Sequence, residues 1–538
     1  CKIRVRRVDG APPMFVDVQQ EEGFPTEDFD ICIVGAGAAG IAAALEFQGT
    51  GKRICLLEAG GLEYSVESQS VYKGEVTGLP YEPLDICRLR YLGGTTNHWA
   101  GFCHPFPVMS FQKHDWMPNT GWPIGMDDVV DYYNRAIKLL ELPDIPWDPV
   151  TGWEMEAVKP WLNEPRIDLA EYDFNERVHI IHAARLGRGV HREALRNAEN
   201  IHVHYNANVV DIGLQEDGVA VDGIHVRTFS GKELTYRARY YVLAASGIEN
   251  ARLMLASNAV MSEGVGNQND VVGRYFSDHG IIHAGHIVTA NDGVDIDLYA
   301  QRKFMHADAM IWHESTYESQ KALGLAPTAF RMFKSLHETM LMPGGESARR
   351  LGNYAARGSV PDDLGAHIAN VLGDFDELAK YGTDWLWNGT APLSKIELEL
   401  HFEPLPNPDS RVTLSNELDA LGLPRVELDW RITDIDYESI RWVTDATARA
   451  VSASGLGRVQ WTYDVNDIDP SVVMAKHHIG TTRMSSTPTD GVVDPDCKVF
   501  GIDNLYVAGS SVFTTCGWGS PTMMIVALAQ RLADHLKM

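Results

Sequence analysis

The 538-residue chain has little of what would direct it to a membrane, a disulfide scaffold or a polyanion. No apolar run approaches the ~20 residues that a bilayer-crossing helix needs, and the opening "CKIRVRRVDGAPP" has no apolar centre of the kind a signal peptide carries. A cytoplasmic protein with no membrane partner is the expectation, and a start at Cys1 leaves a removed leader open. Cysteine is sparse and scattered: the seven residues (1, 32, 55, 87, 103, 497, 516) are odd in number and contain no C-x-x-C pair, against both a disulfide framework and a zinc knuckle. Positive charge is scarce too. Lys and Arg number 46 against 73 Asp and Glu, and the net charge of −27 excludes nucleic acid as a natural partner and favours a neutral or cationic small molecule. Neither "HEST" nor "HETM" completes an H-E-x-x-H pair, so no metal site is expected. No internal repeat is present, and Asn388-Gly389-Thr390 is the kind of glycosylation triplet that arises by chance.

What is present is apolar content of 45%, enough to bury a large core in two or more domains. The clearest local pattern is "DFDICIVGAGAAGIAAALEFQGTGKRICLLEAGG", residues 28–61. Ile31 to Val34 reads as a buried strand, Ala38 to Phe47 as a helix stopped by Gly49 and Gly51, and Arg53 to Leu57 as a second strand. Gly35, Gly37 and Gly40 occupy G-x-G-x-x-G positions, where missing side chains permit the tight turn, the approach of a pyrophosphate and close helix packing. Glu58 follows the second strand, where a carboxylate can accept both ribose hydroxyls of an adenosine.

Strand-like text resumes near residue 200 in "NIHVHYNANVVDIGL", "AVDGIHVRTFS" and "RARYYVLAAS", followed by a short helix in "GIENARLMLAS". Residues 276–464 differ in texture: helices, a Gly- and Pro-rich part, then alternating segments such as "KIELELHFEPL" typical of an antiparallel sheet. The end returns to the first style, with "NLYVAGSSVF" as a buried strand and "SPTMMIVALAQRLADHL" as a helix. The expectation is an α/β protein: a discontinuous nucleotide domain with a mainly parallel sheet (26–120, 200–275 and 465–538) and an inserted α+β substrate domain with an antiparallel sheet (121–199 and 276–464).

Three motifs stand in order: the glycine fingerprint, "GGTTNHWAG" at 93–101, and "HHIGTTRM" with "NLYVAGSSVFTTCGWGSPT" near the end. Together they resemble the glucose-methanol-choline (GMC) family of FAD-dependent oxidoreductases, from about residue 28 to 538. The resemblance implies a Rossmann-like FAD-binding domain with FAD on Gly35, Gly37, Gly40 and Glu58, and with Gly94, Asn97, His98, Val210, Gly509 and Thr522 as further cofactor contacts. In some relatives the histidine matching His98 is bonded covalently to the flavin and in others FAD binds without a bond; here His98 and Trp99 could equally pack against the ring. Asn97 would hydrogen-bond near N5.

The family's catalytic histidine matches His477, and an imidazole suits removal of a hydroxyl proton while carbon gives hydride to flavin. His478 stands where many relatives carry proline. Ser520 occupies the place of a substrate-holding Asn or His. That is a departure, since serine reaches less far; with Pro521 it also reads as the N-cap and N1 pair of the last helix. That helix's N-terminus would favour negative charge on the reduced flavin. The implied activity is oxidation of an alcohol of a sugar, glycoside or polyol, with O2, a quinone or a redox protein as electron acceptor. A lyase-type flavoprotein of the same fold and a non-catalytic nucleotide binder are the alternatives, and the segment 330–390 could cover the site or pair subunits into a homo-oligomer.

Overall fold

The structure is a computed structural model that describes residues 14–538 except 159–168, 170–171, 290–298, 335–341, 357–359, 362, 389–395 and 516. Cys1, Cys516, "HETM" and Gly389-Thr390 lie outside the described residues.

Six strands form a wholly parallel nucleotide sheet in the order Phe15–Asp17, Ile201–Tyr205, Ile54–Glu58, Phe29–Val34, Ala238–Leu243, Leu505–Val507. Parallel sheets are covered on both faces, and Ile54–Glu58 and Leu505–Val507 are buried at every position. The helix Ala38–Leu45 buries six of its eight residues, Ala39 to Ala44. Its small side chains let it lie close to the sheet and to the C-terminal helix Thr522–Lys537. Two glycines make that approach possible: a Cβ on Gly35 (φ +104°) would lie 2.6 Å from the Ala244 carbonyl, and one on Gly40 would lie 1.9 Å from the Gly35 carbonyl.

The second layer is an antiparallel platform sheet. Its main path includes Gly457–Trp461, Gly280–Thr289, Ile396–Phe402, Thr328–Lys334, Ala307–Ser315 and Phe174–Ile181. Phe102–Cys103, directly after the GGTTNHWAG loop, pairs with Phe174–Ile181, and Val472–Met474, directly before the His-His pair, pairs with Gly280–Thr289. Both motif loops therefore hang from platform strands, at segments the sequence reading assigns to the nucleotide unit.

Registers Ile281↔His401, His283↔Glu399, Arg331↔Glu399, Ala329↔His401 and Met310↔His179 put alternate residues of five platform strands on one face. The opposite face carries Ile282, Phe330 and Leu400, which are buried in the same hydrophobic cluster as Ile31, Leu56 and Val242 of the nucleotide sheet. The helix Asp434–Ala453 packs on the Thr328–Lys334 and Ile396–Phe402 strands.

Candidate active site

A cavity of about 730 Å³ lies between the two sheets. One end is walled by the glycine turn and Glu58, the middle by the Gly94–Thr96 and His98–Gly101 loop, and the far end by platform residues and the C-terminal motifs. Of the residues expected at the site, Gly35, Gly37, Glu58, Gly94, His98, His477, Gly509, Ser520 and Thr522 all line this one space.

Three expected contacts do not. Gly40 is a packing glycine away from the wall. Asn97 is turned toward its own loop: its amide nitrogen donates to the Leu92 and Gly94 carbonyls at 2.9 and 3.0 Å, while its Oδ1 is buried with no hydrogen-bond partner among the described residues. Val210 gives way to Val209, because side chains alternate along Asn208–Leu214 and a register irregularity falls between Val209 and Asp211.

The nucleotide end fits an adenosine. Glu58 is 5% exposed, and its carboxylate accepts the Ala36 N–H at 3.1 Å and the Gly60 N–H at 2.8 Å. Burial pushes its pKa up, against the pull of those N–H groups and Arg90. A carboxylate has about four acceptor positions, so capacity remains for ribose hydroxyls. A Cβ on Gly37 would meet nothing within 4 Å of protein, which leaves its backbone open to a ligand.

At the other end His477 is half-buried and borders the cavity. Its backbone N–H donates to Asp278 Oδ1 at 2.7 Å, and Asp278 Oδ2 accepts from Lys476 N–H at 3.0 Å and from the Tyr81 hydroxyl at 2.5 Å. Its ring Nδ1 lies 2.7 Å from Nδ1 of His279. Burial, then the neighbouring His279, His401 and His478, hold its pKa well below the ordinary histidine value. His478 is buried between Tyr81 and Phe276, and burial brings its pKa down to about 3. Partial burial lowers His98 as well, with Lys476 and Arg185 adding to it. Ser520 does not cap the last helix: Pro521 occupies the N-cap and no side chain makes the capping bond.

The platform face adds residues that sequence reading did not find. Glu399 accepts from Arg331 Nε and Nη2, each at 2.7 Å, and from His401 Nε2 at 2.6 Å. Burial raises its pKa, but bonds from His283 and His401 and the charge of Arg331 outweigh this and hold it well below the carboxylate range. Arg331 lies over the Trp312 ring, 4.9 Å from its centroid, and Trp312 and Trp518 are 5.3 Å apart. His179 is 2% exposed, lines the cavity, and neither ring nitrogen has a hydrogen-bond partner among the described residues. The alternation in "KIELELHFEPL" could have paired Glu399 with His401, but nothing local could have brought Arg331 and His179 to them.

Two family models match the chain: one described as FAD dependent oxidoreductase over residues 30–267, the other as GMC oxidoreductase over residues 406–529. Fold and site together define an FAD-dependent oxidoreductase. Its C-terminal residues 406–529 match the GMC oxidoreductase family, in keeping with the resemblance of its motifs to the glucose-methanol-choline family. It is 25% identical to a 2-methyl-1,2-propanediol dehydrogenase of Mycolicibacterium austroafricanum, over 94% of this chain and 95% of that one. It is 24% identical to a C-glycoside 3-oxidase of Microbacterium trichothecenolyticum, over 83% and 75%. Among solved structures, pyridoxine 4-oxidase from Mesorbium loti shares the fold with a TM-score of 0.57 at 18% identity, over 94% of this chain and 99% of that one.

Proposed function

We propose that the protein oxidises an alcohol group of a sugar, glycoside or polyol, with His477 as the base that takes the hydroxyl proton. The observation that carries this reading is one cavity bordered at one end by the dinucleotide fingerprint and at the other by His477 and Ser520. FAD, when bound there, supplies the hydride acceptor. Gly35, Gly37, Gly94, Gly509 and Thr522 would approach it through backbone, and Glu58 would hold its ribose. The chain divides on this reading into the nucleotide unit (26–120, 200–275, 465–538), to which Phe15–Asp17 adds an edge strand, and the substrate unit (121–199, 276–464), to whose sheet Phe102–Cys103 and Val472–Met474 are paired.

A neutral imidazole accepts a proton, and His477 is held neutral by burial. Ser520 supplies a hydroxyl that can hold the substrate oxygen while the proton leaves. The start of the helix Thr522–Lys537 borders the same space, and the positive end of its dipole favours negative charge there. The platform face supports a polyhydroxylated substrate: Trp312 and Trp518 contribute apolar wall, while His179 and the ion-paired Glu399 and Arg331 contribute donors and acceptors with little net charge. The names of the two relatives, a diol dehydrogenase and a glycoside oxidase, point the same way.

The test is anaerobic mixing of the flavin-loaded protein with a panel of sugars, glycosides, diols and simple alcohols. Bleaching of the yellow absorbance by at least one, lost in His477→Ala, is the expected result. A flavin that stays oxidised with all of them would leave the lyase-type and non-catalytic readings. A dye acceptor run beside an oxygen electrode then distinguishes O2 from a quinone or redox protein, and a colourless acid-precipitated pellet would rule out a covalent bond at His98.

A further inference from the structure

His279 closes the strand end before Gly280–Thr289 and is 1% exposed. Its two ring nitrogens point at different partners: Nε2 meets the carbonyl oxygen of Gly517, and Nδ1 meets Nδ1 of His477 at 2.7 Å, with the two rings nearly perpendicular (87°). A carbonyl oxygen can only accept, so His279 Nε2 must carry a hydrogen. Burial lowers the pKa of His279 to about 4, so the ring is neutral and its Nδ1 bears a lone pair. The short contact then requires the hydrogen on Nδ1 of His477. Because His477 is also neutral, its Nε2 is left bare.

Resting on the reading of His477 as the base, we infer that His279 is a positioning residue: by accepting the Nδ1–H of His477 it fixes the tautomer that leaves Nε2 unprotonated for the substrate hydroxyl. The chain of contacts runs from the Gly517 carbonyl through His279 to His477, so the loop before the last helix sets the proton arrangement of the base. The second ring nitrogen of a base decides which nitrogen is free, and an orienting group is the usual third member of such an arrangement. A carboxylate in this place would also raise the proton affinity of the base. A neutral imidazole fixes the tautomer without that effect, and it can still accept from the imidazolium formed after proton uptake. The carboxylate nearby, Asp278, is bound to the backbone N–H of His477 instead. The other titratable groups acting on His477 are His401 and His478, both lowered by burial.

The test uses flavin-loaded protein labelled with ¹⁵N-histidine. Proton–nitrogen correlation spectra report which ring nitrogen of His477 carries hydrogen, with His477→Ala supplying the assignment by loss of signal. The expected wild-type result is hydrogen on Nδ1 and a bare Nε2; hydrogen on Nε2 overturns the proposal even if no His279 variant can be made. His279→Leu, which removes the acceptor, is expected to mix the two tautomers and lower kcat by roughly 100-fold, within the range of general-base effects. His279→Asn places Oδ1 near the position of Nδ1 and is expected to recover the tautomer and most of the rate. Equal loss in both variants with an unchanged His477 spectrum would reduce His279 to a packing role. Full activity of His477→Ala would instead bring down the reading of His477 as base, a failure distinct from that of the relay.

Discussion

Asp278 holds the backbone of His477: the carboxylate accepts the His477 N–H at 2.7 Å and, through its other oxygen, the Lys476 N–H at 3.0 Å. Lys476 sits in the left-handed region (φ +67°), a conformation that a lysine adopts only when its surroundings impose it. Asp278 is fully buried and directly precedes His279, so one platform strand end grips both the backbone and the ring of the proposed base. Asp278→Ala should strand the Lys476 and His477 N–H groups and the Tyr81 hydroxyl and cost about 2–4 kcal/mol of stability. It should also lower kcat at least about tenfold, since a small displacement of a catalytic group is expensive in rate. Denaturant melts and steady-state kinetics on the same preparation check both; a stability loss with unchanged kcat would confine Asp278 to the fold.

The glycine fingerprint predicts two different failures. Alanine at Gly40 would drive its Cβ to 1.9 Å from the Gly35 carbonyl, so Gly40→Ala should destabilise the protein whether or not flavin is present. Alanine at Gly37 meets no protein atom within 4 Å but intrudes on the cavity wall. Gly37→Ala should therefore keep the melting temperature of the flavin-free protein within a few degrees while lowering flavin bound per chain. Absorbance ratios and thermal melts of stripped and reloaded samples separate the two; equal flavin loss with equal destabilisation would contradict the distinction.

The different legibility of the two ends follows from where their information resides. The nucleotide end is local in sequence: strand, glycine turn, helix, strand and carboxylate fall within residues 28–61, and the structure has Phe29–Val34, Ala38–Leu45 and Ile54–Glu58 in that order. The platform face is non-local. His179, Trp312, Arg331, Glu399 and His401 come from four strands, and only the register between those strands makes them neighbours. The Val210 expectation missed by one residue because a strand with a register irregularity does not announce its phase in sequence. The two bonds that the Asn97 amide nitrogen makes to its own loop were equally unreadable, since an amide next to a glycine turn can bind its own loop as readily as a ligand.

Ser520 lines the cavity while Pro521 takes the N-cap without a side-chain bond, so a hydroxyl at 520 contributes little to the helix. Ser520→Ala should leave the melting temperature nearly unchanged and lower kcat/KM about tenfold, the size of one lost hydrogen bond to a developing charge. Ser520→Asn, which restores the longer reach found in many GMC members, should keep activity above that of the alanine variant. A fall in stability with turnover intact would instead return the residue to a capping role.

Buried neutral histidines should make the protein sensitive to acid. His204 is fully buried, with Nδ1 bonded to the Tyr236 hydroxyl at 2.8 Å, and burial, aided by His202, lowers its pKa to about 3. On unfolding the imidazole regains an ordinary value near 6.5 and takes up a proton at any pH below that. Its contribution is therefore fully present above about pH 6.5 and is lost as pH falls toward about 3. Asp278 and Asp436, pushed up to about 7 by burial, work in the opposite sense, so the whole-protein slope is a difference of such terms. A single replacement isolates one of them. His204→Leu removes the proton uptake and leaves the Tyr236 hydroxyl without its partner, a cost that does not change across this range. Denaturant unfolding of the two proteins from pH 6 to pH 4 should show the variant's stability gaining on wild type by about 1.4 kcal/mol per pH unit. Parallel curves would mean that His204 is already protonated in the folded state or stays neutral in the unfolded one.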